Sequence, residues 1–154
     1  MSCYGLYFED LEVGRHFQHP LGRTITEHDD TLFSLMAMNQ HPLHIDEHYA
    51  AASQHGRRLV VGPLVISIVI GLTQADIGGR SLEVLAYGDV QHVGPVFHGD
   101  TLYAESTIIA TQRVDSSKGT VTVQSRGLNQ KHETVLTLQR KFIAPCRPDG
   151  ESPA

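Results

Sequence analysis

The stretch MNQHPLHIDEHYA, residues 38–50, gathers His41, His44 and His48 with Asn39 and Asp46 around Pro42. Imidazole and carboxylate groups in such numbers could ligate a metal ion. The spacing argues against it, because a metal-binding helix sets two histidines one turn apart on a common face, whereas Pro42 interrupts any helix between His41 and His44. A second chemistry is acid/base work on a small molecule, with a loop histidine beside a buried amide, His44 next to Asn39. The structural alternative makes Asn39 a C-terminal helix cap and His44 a hydrogen-bonded group beneath the loop. Spacing alone leaves both open. His48 and His55 read as solvated histidines.

Two helical pieces must flank this loop. Thr26, followed three residues later by Asp29, has the form of a capping box, and the helix it opens carries Leu32, Leu35, Met36 and Asn39 on one face. That pattern ends the helix at Asn39, facing inward. Beyond Pro42, DEHYAAAS offers another short helix with Asp46 at its cap. The longest apolar run, RLVVGPLVISIVIGL over residues 58–72, is rich in Val and Ile, which by propensity favours a strand. Its length and a Pro63 suited to the first helical position favour a helix apolar on nearly every face, hence buried on all sides. It is shorter than the ~20 residues that span a bilayer. After Gly78-Gly79 the period changes to two: SLEVLAYGDVQHV, TLYAESTIIATQRV, TVTVQSR and TVLTLQRKF, separated by Gly, Asp, Asn and Ser turns, describe an antiparallel meander. One helix followed by consecutive strands is an α+β pattern in which the sheet wraps the helix.

A chain of 154 residues has the size of one domain. Its apolar and charged fractions, 40% and 19%, are those of a globular protein, and only the tail over 146–154, CRPDGESPA, reads as disordered. A formal net charge of −5 with scattered basic residues argues against a nucleic-acid partner, since phosphate contacts require clustered Lys and Arg. The one basic doublet is Arg57-Arg58. Cys3 and Cys146 lie near opposite ends without CxxC spacing, so neither a disulfide framework nor a cysteine metal site is expected. The first residues lack the charged and apolar regions of a signal peptide, and the expected location is the cytoplasm, with no membrane association.

The segments YFEDLEVG, GRTITEHD, HPLHIDEHYA, LVVGPLVIS and VGPVFHGDTL occur in the order and spacing of the MaoC-like dehydratases, the family of R-specific enoyl-CoA hydratases with the hot-dog fold. The chain resembles them from about Tyr7 to Ala144. The resemblance implies a single domain over residues 1–145, a long central helix wrapped by an antiparallel sheet, paired into homodimers with active sites near the subunit interface. It leaves open whether the dimers stack into a trimer of dimers. In the family the motif Asp-x-Asn-Pro-x-His activates the water that adds across an enoyl double bond. Here it reads Asn39-Gln40-His41-Pro42-Leu43-His44. The catalytic His maps to His44, Asn39 stands at the Asp position and His41 at the Asn position. An amide orients water but cannot exchange a proton as a carboxylate does.

MNQHPLHIDEHYA followed by GRRLVVGPLVISIVIGL is similar to the branch that hydrates branched dicarboxylic acyl-CoA thioesters, the mesaconyl-, itaconyl- and methylmalyl-CoA hydratases, in which Asn at this position is usual. The resemblance thus implies His44 as general acid/base, Asn39 as the water-orienting partner and Gly62 as the backbone donor to the thioester oxygen, with no cofactor beyond the coenzyme A of the substrate. Val61 and Pro63, which bracket Gly62, and His41 are the expected substrate contacts. Arg57 or Arg58 would hold the second carboxylate, for which a guanidinium fork is the best match. The alternatives are an R-specific hydratase of unsubstituted enoyl-CoA and a non-catalytic acyl-CoA-binding protein. A hot-dog thioesterase fits less well, because residues 63–73 carry no carboxylate.

Overall fold

The computed structural model describes residues 4–148. Among the described residues four α-helices, α1 (Glu27–Met36), α2 (Pro42–Ile45), α3 (Glu47–Ala51) and α4 (Gly62–Leu72), precede the long strands β3 (Glu83–His92), β4 (Thr101–Arg113), β5 (Lys118–Leu128) and β6 (Thr134–Pro145). Two short strands, β1 (His16–Gln18) and β2 (Arg23–Thr24), come first. The pairing is antiparallel in the order β1-β4-β5-β6-β3, with β2 also on β4. This is the α+β arrangement expected, and β4, β5 and β6 form the predicted meander, but β3 does not open it: it crosses to the far edge and pairs with β6 instead of β4. The tail expected over 146–154 lies outside the described residues from 149 onward. Within them, the Cys146 N–H donates to the Ser117 carbonyl at 2.7 Å.

Local signals explain the helices. Thr26 accepts from the Asp29 N–H while Asp29 accepts from the Thr26 N–H, the reciprocal capping box. α1 then stops at Met36, three residues before the expected end at Asn39. The cause is Met38, which takes φ 55°, so that the Asn39 N–H reaches back to the Ser34 carbonyl at 2.9 Å and the Met38 N–H to Leu35 at 3.2 Å. Those two bonds are a Schellman closure with methionine where glycine is usual. Asp46 caps α3 by accepting from the Tyr49 N–H, and Pro63 sits in the first turn of α4, both as expected.

α4 lies against the sheet. Val61, Leu64, Val65 and Val69 pack with Ile25, Leu102, Ala104, Leu136 and Leu138 in one apolar cluster. Gly127 on β5 permits the close approach, since a Cβ there would meet a Val69 methyl at 2.6 Å. The opposite end of the sheet is covered by the N-terminal segment, where Leu11 packs with Ile77, Ile108, Val121 and Phe142. α4 is not buried on all sides. Pro63, Ser67 and Gly71 are exposed and Ile66 and Ile70 half-buried. That face borders β3, whose other edge has no partner strand among the described residues. The strand therefore leaves Val84, Leu85, Tyr87 and Val90 in solvent.

Candidate active site

The chain entering α4 and the chain leaving β3 run side by side. Leu59 bridges Phe97, and the Val60 N–H donates to the Val96 carbonyl at 2.9 Å. Between them lies a cavity of about 200 Å³ lined by His44, Leu59, Val60, Gly62, Val65, His92, Gly94, Pro95 and Val96. α2 supplies His44, and its ring is aimed by one bond, Nδ1 to the Leu59 carbonyl oxygen at 2.8 Å. A carbonyl can only accept, so Nδ1 carries the proton. Nε2 is then a lone-pair acceptor, and it has no hydrogen-bond partner among the described residues. This is the protonation pattern a general base requires.

Gly62, the first residue of α4, faces the same cavity. Its N–H has no intrahelical partner and lies at the positive end of the helix. The start of α4 is fixed from behind by Asp30, a fully buried carboxylate on α1. One Asp30 oxygen accepts from the Val61 N–H at 2.8 Å and the other from His98 Nε2 at 2.8 Å. Asp30 and His98 thus position the helix terminus without lining the cavity, a role not assigned to either from the sequence.

The other candidate residues separate. Asn39 is half-buried, and its side-chain oxygen accepts from the His41 N–H at 3.1 Å, which makes a tight turn of the loop. It is not among the described residues lining the cavity. His41 caps α2, with Nδ1 accepting from the Leu43 N–H, and its ring lies 5.9 Å from that of His44. Val61 belongs to the core. Pro63 lines a different surface, an apolar groove of about 510 Å³ with Ile66, Ile70, Tyr87 and Val90. Arg58, only 13% exposed, is held by Glu47 at 2.7 Å and Glu27 at 2.9 Å. The hydrogen bond it donates to the Glu47 carboxylate holds its pKa above the ordinary guanidinium range. Arg57 makes no ion pair among the described residues, and its guanidinium stacks 3.7 Å from the centre of the Phe97 ring. It lines an outer cavity of about 350 Å³ with Lys131 and Asn129, which meets the His44 cavity at Gly94 and Pro95. No three His, Cys, Asp or Glu side chains among the described residues are arranged to hold a metal.

Residues 9–128 match the MaoC like domain family. The chain belongs to that family. Within it, the chain is 32% identical to the mesaconyl-CoA hydratase of Cereibacter sphaeroides, over 97% of its own length and 44% of the relative's. It is also 32% identical to the beta-methylmalyl-CoA dehydratase of Chloroflexus aurantiacus, over 97% and 43%. The MaoC-like chain therefore spans less than half the length of these two relatives. A solved Mycobacterium tuberculosis protein with a double hotdog fold superposes with a TM-score of 0.86 at 23% identity, covering 99% of this chain and 48% of that one. The fold is accordingly a hot-dog. Among the described residues no helix is long and apolar enough to cross a membrane.

Proposed function

We propose that this MaoC-like protein is a hydro-lyase that reversibly adds water to a short branched dicarboxylic enoyl-CoA, of the mesaconyl-CoA or itaconyl-CoA type. One observation carries the reading: His44, with Nδ1–H tied to the Leu59 carbonyl and Nε2 without a partner among the described residues, shares a small cavity with the N-terminus of α4. Nε2 accepts a proton from water as the oxygen adds to the β-carbon, the π electrons shift toward the thioester oxygen, and the Gly62 N–H binds the charge that develops there. Return of that proton to the α-carbon completes the addition with atoms and charge balanced. Asn39, outside the cavity lining among the described residues, acts through the turn of the loop that carries His44, its side-chain oxygen accepting from the His41 N–H. The names of the two 32% identical relatives support a dicarboxylic substrate.

Of the two arginines, Arg57 is the one available to a substrate anion, because Arg58 is already neutralised by two carboxylates. Initial rates on mesaconyl-CoA and crotonyl-CoA separate its roles. If Arg57 binds the distal carboxylate, Arg57→Ala lowers kcat/KM far more for mesaconyl-CoA. An equal fall on both assigns it to the coenzyme A phosphates and favours a hydratase of unsubstituted chains. A homodimer, the building block of any trimer of dimers, would cover the apolar groove between α4 and β3, and sedimentation velocity measures it directly.

A further inference from the structure

The proposed hydration places negative charge on the thioester oxygen, yet Asn39 at the motif's acidic position supplies no proton for it. Among the described residues lining the cavity, only His44 and His92 carry polar side chains. His92 ends β3, opposite Leu136 of β6, and neither ring nitrogen has a hydrogen-bond partner among the described residues. The ring is also near the helix terminus. A Cβ built on Gly62 would lie 2.9 Å from His92 Nε2 and 3.1 Å from Cε1, so the imidazole occupies the space beside the Gly62 backbone that a side chain would take. His92 Nε2 therefore lies beside the Gly62 backbone, and both residues line the same cavity.

We propose that His92 is a catalytic residue of this site, donating from Nε2–H to the thioester oxygen and completing with the Gly62 N–H a two-donor oxyanion hole. The inference rests on the hydratase reading above. His44 keeps the proton traffic between water and the α-carbon, and His92 donates a hydrogen bond that strengthens as the oxygen gains charge, without transferring its proton. This division suits a chain with an amide at position 39, because the second polar wall of the cavity takes part through hydrogen bonding alone. It also gives the absence of a side chain at Gly62 a catalytic reason: Gly62→Ala would push the His92 ring away.

Steady-state kinetics on mesaconyl-CoA and crotonyl-CoA test it, with wild type, His92→Phe and His92→Gln. Phenylalanine keeps the ring and removes the donor. Glutamine places an N–H near the same point. His92→Phe should lose about 10²-fold in kcat with KM within about threefold, the cost of one oxyanion donor, and His92→Gln should recover at least tenfold of that. As a second readout, a substrate analogue with CH2 in place of the thioester carbonyl should bind wild type and His92→Phe equally, while the hydrated thioester binds the variant more weakly. Undiminished kcat in His92→Phe, or equal losses in both variants, overturns the assignment while hydration by wild type leaves the proposed function standing. A wild type that hydrates none of the thioesters overturns both.

Discussion

His19 and His44 share half of their chemistry and differ in the other half. Each ring meets an oxygen at Nδ1 over nearly the same distance, 2.7 Å to Asp76 for His19 and 2.8 Å to the Leu59 carbonyl for His44. At Nε2 they part. His19 Nε2 lies 3.0 Å from the Ser106 hydroxyl, which is itself 2.8 Å from that of Ser125. Asp76, His19 and Ser106 reproduce the connectivity of a hydrolase triad, but Ser106 is 2% exposed and faces its neighbour Ser125 between β4 and β5. No substrate carbonyl reaches it. His44 ends instead on a cavity. Connectivity alone does not make a reactive site: the His19 network is saturated within the sheet, whereas His44 keeps one nitrogen without a partner among the described residues and faces a cavity.

Substitutions can break this contrast. The largest expected effect is His44→Ala, which should lower the hydration rate by about 10²- to 10⁴-fold with little change in melting temperature. His19→Ala should do the reverse: a stability loss of about 1–3 kcal/mol, read from urea unfolding, because it leaves the buried Ser106 hydroxyl without its imidazole partner, with kcat per folded molecule unchanged. Asp30→Ala strips the Val61 N–H and His98 of a fully buried acceptor, so it too should cost about 1–3 kcal/mol. Unlike His19→Ala it should also lower kcat, because the start of α4 loses its anchor. The smallest effect belongs to Met38→Gly, which should stabilise by about 1 kcal/mol by relieving a left-handed backbone, seen as a higher denaturation midpoint.

Much of the scaffold is legible in the sequence because it is written in local periods. The capping box at Thr26, Asp46 before α3, Pro63 in α4 and the alternation in β3 to β6 each stand within a few residues of the structure they specify. β1 and β2 escape because strands of three and two residues have no period and exist only by pairing with β4. The early stop of α1 also escapes, since nothing in a methionine announces a left-handed φ. In the site, His44 and Gly62 are readable from the motif. Asp30, His98 and His92 are not, because their roles come from contacts 30 or more residues distant along the chain. The exposed face of α4 is likewise invisible: an all-apolar run shows no polar stripe to mark the side the sheet leaves open.

One measurement bears most directly on the central claim that the His44 cavity hydrates an enoyl thioester. Wild-type, His44→Ala and His19→Ala proteins are each incubated with mesaconyl-CoA, itaconyl-CoA and crotonyl-CoA and followed by mass spectrometry for the gain of one water. Rapid gain on a dicarboxylic thioester by wild type and His19→Ala, with its loss in His44→Ala, is the expected result. No gain by wild type on any thioester, or an undiminished rate in His44→Ala, contradicts it.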